Sequence, residues 1–228
     1  MERVMDVGEV REVDKLKEAI PTWGVVLLAA LGSVVVTWFG NRVMFDPDFV
    51  RALYGSGSTV VAGSATVPGA RQVGVVSIVA APVGVVVRIA TMALLIQAVG
   101  MMALVEYRFR EAFRVAGIAF FAPLLAQAAR TLWIARQPLS QVGPEMLYVS
   151  PGSLAHWALN PESVGPWLYA SLSMVSVFEL LWVWIVASLV GQRSGVSYLR
   201  AASVATGAWG AMAFCRVVFA VLVFQRFG

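Results

Sequence analysis

The chain has 228 residues, of which 59% are hydrophobic and only 13% are charged, and its mean hydropathy is +0.78. These values exclude an ordinary soluble domain. The apolar stretches are continuous and long, which favours an all-α, polytopic transmembrane bundle over a β-barrel with alternating strands. The net charge of +4 comes from basic residues at the ends of apolar runs, a pattern that sets membrane topology and does not indicate nucleic-acid binding.

The first 20 residues are predicted to form an amphipathic helix outside the membrane. Their apolar residues recur every three or four positions, which places them on one helical face, and Pro21 ends the pattern. This helix either packs on the rest of the chain or binds an interface or partner. The segment has no apolar core of a signal peptide, so we expect the first span to direct insertion.

Residues 21–228 are predicted to form the transmembrane domain. Its apolar runs predict five spans, at about residues 22–39, 74–104, 113–134, 166–190 and 200–224. The second run is long enough to be tilted, broken near Pro82 or extended beyond the bilayer. Pro123 is expected to kink the third. The turn Gly191–Gly195 would join the last two, a short helix is expected at residues 46–54, and residues 153–159 form a small amphipathic segment.

Orientation follows from the distribution of lysine and arginine. The N-terminal segment, the second connection and the fourth connection together carry nine basic residues, and the opposite side carries six. Because basic residues favour the cytoplasmic side, the count predicts a cytoplasmic N-terminus and an external C-terminus.

Three charged residues lie well away from the ends of the predicted spans: Arg88 near the middle of the second, Glu179 in the fourth and Arg216 in the fifth. Such residues are costly in a membrane unless they are paired or turned toward protein or water. Glu179 is expected at mid-depth, level with Arg216. A structural ion pair with either Arg216 or Arg88 is one interpretation, and a proton or ion relay is the other.

Other conspicuous residues suggest no chemistry. Gly207 and Ala211 have a small-xxx-small spacing that permits close helix packing, against either the fourth span or another subunit. His156, the sole histidine, is interpreted as an interfacial residue, and Cys215 as a small buried hydrophobe. With no nucleophile and base pair and no metal cluster at recognisable spacing, we expect no enzymatic activity, no cofactor and no metal.

Three sequence segments resemble the YIP1 superfamily of five-span membrane proteins in its bacterial form. They are Phe109–Ala116, the loop Ser150–Leu154, and Val177–Trp184 followed by Gly191 and Gly195–Ser197. The similarity extends from about residue 85 to 222, although Glu179 stands where the family usually has an aspartate. The resemblance to the bacterial form implies a membrane-embedded, non-enzymatic role, and a bacterial inner membrane is the expected location. Eukaryotic members resemble vesicle-traffic and membrane-shaping factors that contact small GTPases.

Two functions remain in view. The first is a non-catalytic scaffold, membrane organiser or subunit of a larger membrane assembly, whose partners are the lipid bilayer and other membrane proteins. The alternative is a small permease or ion-coupled transporter that uses Arg88, Glu179 and Arg216. Transporters usually contain internal repeats, and the sequence shows none.

Overall fold

A computed structural model of the chain describes residues 22–46, 48–49, 68–106, 108–141, 151–158 and 166–227. Its regular elements are helices. In chain order they are α1 (Thr22–Met44), α2 (Pro68–Met102), α3 (Phe109–Ala119), α4 (Phe121–Ala135), a 3-10 turn (Leu139–Gln141), α5 (Leu154–Ala158), α6 (Pro166–Ser173), α7 (Val177–Ser194) and α8 (Tyr198–Phe227).

Five helical stretches are long and apolar enough to cross a membrane, which confirms the predicted all-α, polytopic fold. They are Thr22–Met44, Gly74–Met102, Phe109–Ala135, Val177–Ser194 and Tyr198–Val218. Large apolar side chains cover their outer surface, among them Trp23, Leu31, Val79 and Trp184. An apolar exterior of this extent would aggregate in water but fits a lipid bilayer. The chain is therefore an integral membrane protein.

The third span, α3 with α4, forms the centre of the bundle. It packs against α1, α2 and α7, and it is the most buried of the five spans. Its inward positions are mostly small: Ala112, Ala116, Ala119 and Ala122 are fully buried. Small side chains let the surrounding helices approach closely, and close packing drives helix association in lipid.

Two prolines within the spans have different effects. The third span is divided at Phe120, three residues before Pro123, although Phe120 keeps helical dihedral angles with φ −61° and ψ −21°, so the kink at Pro123 stays a prediction. Proline at 123 lacks an N–H and its ring crowds the carbonyl of Ala119, which favours a kink at this point. By contrast, α2 is helical from Pro68 to Met102 with Pro82 inside it. Of the three alternatives for the second span, the break near Pro82 is therefore not observed.

The predicted fourth span at residues 166–190 is wrong in its continuity. Helix α6 ends at Ser173 and α7 begins at Val177, so the run is broken into two helices. Val175 and Ser176 are extended or bridged instead of helical. Hydropathy does not predict this break, because the residues at the break are apolar or small. A serine with an extended backbone is, however, a favoured residue for starting a new helix, and Ser176 takes that position for α7.

The connection to the last span is shorter than predicted. The residues from Gly191 to Ser194 belong to α7, and the chain leaves the helix only at Gly195, whose φ is 64°. Glycine adopts this left-handed conformation without the steric penalty of a side chain, which makes it the usual helix terminator. Helix α8 then begins at Tyr198.

Helix α2 ends differently, through a left-handed leucine. Leu104 has a φ of 55°, and the Val105 N–H donates to the carbonyl of Gly100 at 2.8 Å. This closing bond satisfies a carbonyl at the helix end and turns the chain toward α3.

Some predictions lie outside the described residues. The amphipathic helix at residues 1–20 and most of the short helix at 46–54 belong to this group. Within the amphipathic segment at 153–159, the residues Leu154–Ala158 form helix α5.

Candidate functional site

The break in the fourth span is held by a second loop of the chain. Ser153, just before α5, forms an antiparallel bridge with Ser176, just before α7. The Leu154 N–H donates to the carbonyl of Val175 at 2.8 Å, and the Val177 N–H donates to the carbonyl of Gly152 at 3.2 Å. Backbone groups freed by a broken helix must find partners when water is scarce. Here the loop supplies them.

The two bridged serines also cap the two helices that follow them. Ser153 Oγ accepts from the His156 N–H, and Ser176 Oγ accepts from the Glu179 N–H, each at 3.2 Å. Both serines are buried. Each hydroxyl satisfies one N–H that the first turn of a helix leaves unpaired. The break is therefore a structured junction in which these hydroxyls and backbone groups are paired.

Glu179 lies in the first turn of α7, directly beyond this junction, and forms an ion pair with the last helix. Arg216 Nη1 donates to Glu179 Oε1 at 2.8 Å. The Glu179 side chain is 20% exposed and that of Arg216 is 45% exposed. Of the two arginines that the sequence left open, the structure thus brings Arg216 to this carboxylate.

The depth of this pair follows from helix register. Helices α2 and α8 run antiparallel, and they meet where a Cβ on Gly207 would lie 2.9 Å from Val99 Cγ1. Arg216 is nine residues further along α8, about 13 Å at 1.5 Å per residue. The same step back along α2 reaches Ala90, two residues from Arg88. The ion pair and Arg88 therefore lie at a similar level along the bundle.

Arg88 itself is exposed on the surface of α2. Among the described residues, none forms a hydrogen bond or ion pair with it. A charged side chain at the centre of a membrane helix costs about 2.5–3.5 kcal/mol on insertion scales. Unlike Arg216, Arg88 has no carboxylate in the described structure to offset that cost.

The small residues of α8 pack within the chain. Gly207 contacts Val99 of α2, whereas Gly191 of α7 faces Ala201 of α8, where a Cβ added to the glycine would lie 3.5 Å from the Cβ of Ala201. Ala211 is half-buried. The partner of the Gly207 position is thus the second span, which was not one of the two partners expected from the sequence, the fourth span or another subunit.

Two minor predictions have different outcomes. Cys215 is exposed on the surface of α8, so its interpretation as a buried hydrophobe is wrong; it lies next to Arg216 on the outward side of the helix. His156 is exposed and its ring lies edge-on to Trp133, with 5.5 Å between ring centroids. Within the described ranges, no group of His, Cys, Asp and Glu side chains is placed to hold a metal ion.

Sequence reasoning missed the serine junction, although one signal was present. Ser176 and Glu179 have the S-x-x-E spacing that often marks the start of a helix. Because this signal lies within a continuous apolar run, the high hydropathy outweighs it and predicts one unbroken span. The partner segment, Gly152–Leu154, lies more than 20 residues away, and no local pattern links the two.

Comparison with protein-family models, curated proteins and solved structures yields no match to this chain.

Proposed function

We propose that this protein is a non-catalytic integral membrane protein that acts as a scaffold, organiser or subunit of a larger membrane assembly. The observation that carries this proposal is the apolar interior. Within the described residues, the polar side chains that are buried as a whole are Ser33, Thr131, Ser153 and Ser176, and the charged side chains of the central span, Arg114 and Arg130, are half-buried. A solute or ion pathway needs polar groups along its length. The core instead consists of closely packed alanine, valine and isoleucine.

Two charged groups of the spans lie on the outside of this core. Arg88 and Arg216 are both exposed, as is the apolar surface around them. Charged groups directed outward from a packed bundle at this depth are placed to act on neighbouring membrane proteins. The resemblance to the bacterial YIP1 type supports the same role. The serine loop and the Glu179 helix, two of the segments that carry the resemblance, meet at the junction.

The test is to measure the mass of the complex in which the protein is extracted from its own membrane. Membranes are dissolved in a mild detergent, and the tagged protein is separated on a native gel and weighed by light scattering. A scaffold or subunit migrates with a reproducible set of other membrane proteins at fixed stoichiometry. A protein that is monomeric at every detergent concentration, with no copurifying partner, contradicts the proposal.

A second function, a small permease or ion-coupled transporter, is favoured by the broken fourth span. Transporters often place a discontinuous helix beside an intramembrane charge, so that half-helix ends contact the substrate. The junction at Ser176 with Glu179 one turn away has this arrangement. Reconstituted vesicles test it: proton or ion flux that Glu179→Gln abolishes without loss of stability would favour transport over scaffolding.

The orientation is also part of the proposal, with the N-terminus in the cytoplasm of a bacterial cell and the C-terminus outside the inner membrane. It is supported by the nine-to-six distribution of basic residues. Reporter fusions check it. Alkaline phosphatase should be active when fused after Gly228 and inactive when inserted at Arg193, and the reverse pattern would invert the orientation.

A further inference from the structure

The exposed arginine of α2 lies at the centre of its span. Arg88 is 14 residues from Gly74 and 14 from Met102, which is about 21 Å from either end of this apolar stretch of α2. The neighbouring helix gives the same position. Asn41 Nδ2 donates to Ser77 Oγ at 2.8 Å, so the antiparallel register puts Arg88 level with Ala30 of α1. Ala30 lies midway between Trp23 and Trp38, which are placed where aromatic residues mark the membrane interfaces.

The surface around this arginine is open. Ala80, Gly84, Arg88 and Thr91 follow one another at helical spacing on one side of α2, and all four are exposed. A Cβ on Gly84 would meet nothing within 4 Å. Thr91 Oγ1 donates to the carbonyl of Val87, which leaves the guanidinium as the polar group of this Arg88 face that lacks a described partner. Small residues next to the arginine leave room for a close approach.

The charge of this face defines what would cover it. A guanidinium at mid-depth is best neutralised by a carboxylate, which accepts two parallel hydrogen bonds from it. A second copy of this chain has no such group to offer, because Glu179 is the only acid in its apolar runs and already binds Arg216. The other acids lie outside the predicted spans, near the interfaces or in the loops.

We propose that the Arg88 face binds a transmembrane helix of a different membrane protein, one that carries an aspartate or glutamate at mid-depth. This inference rests on the proposed function as a subunit of a membrane assembly and specifies the chemistry of the partner. The pair would form on the surface of α2, away from the Glu179–Arg216 pair.

A synthetic helix tests the recognition directly. The probe is a 23-residue leucine and alanine helix with one central glutamate, compared with the same helix carrying glutamine, and binding is measured by energy transfer in phosphatidylcholine vesicles. The wild-type protein should bind the glutamate helix about tenfold more tightly than the glutamine helix, because only the carboxylate neutralises the guanidinium.

Three variants locate the effect. Arg88→Leu should abolish the preference for glutamate, and Arg88→Lys should retain part of it because the charge remains. Arg136→Leu, which removes an exposed arginine beyond the end of α4, should leave the preference unchanged. Equal binding of the two helices by the wild type, or an undiminished preference in Arg88→Leu, overturns the inference. So does energy transfer between differently labelled copies of the protein that Arg88→Leu abolishes, since a second copy would then cover the face.

The native assembly separates this inference from the function on which it rests. Wild-type and Arg88→Leu proteins are compared on native gels of their own membranes, after thermal unfolding has shown equal stability. Release of a partner by Arg88→Leu but not by Arg136→Leu supports the inference. An assembly that Arg88→Leu leaves intact overturns the inference and keeps the proposed function. A wild-type protein without any partner overturns both.

Discussion

The ion pair between Glu179 and Arg216 makes a quantitative prediction about stability. Replacing Glu179 by leucine leaves the Arg216 guanidinium without the bond that it makes at 2.8 Å. At a separation of about 4 Å between charge centres and an effective dielectric of about 20, the attraction is about 4 kcal/mol. Breaking a fully buried pair costs about 3–5 kcal/mol.

The cost should be lower here, because 45% of the Arg216 side chain is exposed and can turn away from the vacated position. We expect Glu179→Leu to destabilise the protein by about 2–3 kcal/mol. Glu179→Gln should cost less, since its carbonyl still accepts a hydrogen bond from Arg216. In the double variant Glu179→Leu, Arg216→Leu the stranded charge is gone, so about 1–3 kcal/mol should be recovered as coupling.

The measurement is a double-mutant cycle, by equilibrium unfolding in detergent micelles. Arg88 supplies the matched control, because it is an arginine at a similar level that the structure does not join to Glu179. Glu179→Leu combined with Arg88→Leu should be additive within about 0.5 kcal/mol. The reasoning is refuted if the Arg216 cycle shows no coupling beyond that limit, or if the coupling appears in the Arg88 cycle instead.

Three further substitutions test the packing and the helix ends. Ser176→Ala should lower the stability by about 1 kcal/mol by removing the cap of α7. As a control, Ser203→Ala should change the stability by less than about 0.5 kcal/mol, because the Ser203 hydroxyl bonds to the carbonyl of Arg200 within its own helix. Equal effects of the two substitutions would contradict a capping role for Ser176. Gly207→Ala should lower the stability by about 1–3 kcal/mol because the added methyl group meets Val99, and the additional substitution Val99→Ala should restore that stability. As a control, Gly210→Ala, where an added Cβ meets nothing within 4 Å, should stabilise the protein by about 0.5–1 kcal/mol. If Gly207→Ala leaves the stability unchanged, the two helices can move apart without cost. Leu104→Gly should raise the free energy of unfolding by about 1 kcal/mol, because glycine adopts the left-handed backbone conformation of this position without steric strain. As a control, Met102→Gly, within the preceding helical turn, should lower the free energy of unfolding. A destabilising Leu104→Gly would mean that the exposed leucine side chain contributes more to stability than its backbone conformation costs.

The sequence predicts the number and order of the spans well because both depend on hydropathy. A sufficiently long apolar segment can pair its backbone hydrogen-bonding groups in a bilayer only as a transmembrane helix, and such a segment is directly visible in the sequence. The position of a helix break depends on other interactions. At Val175 the backbone leaves the helix because Leu154 and Gly152, distant in sequence, take up the hydrogen bonds of the break. A contact of that kind has no signature in either segment alone.

The sequence identified the charged residues of the candidate site, but it did not identify which arginine pairs with Glu179. Hydropathy identifies Arg88, Glu179 and Arg216 alike, since each interrupts an apolar run. Which arginine meets the carboxylate depends on the rotation of the helices about their axes. That rotation is set by small contacts such as Gly207 on Val99 and Gly191 on Ala201, which lie far from the charges.

The two arginines at this level therefore have different expected roles, although they are the same residue type in similar apolar surroundings. Arg216 has its counter-charge within the chain, so its removal should lower the stability of the isolated protein. Arg88 has none among the described residues, so its removal should leave that stability unchanged or raise it, because the cost of a charge in the membrane is lost. If Arg88→Leu nevertheless impairs the cell as Arg216→Leu does, folding cannot explain the defect. The effect would then arise from what Arg88 binds, which is how a residue that maintains the fold is distinguished from one that serves an assembly.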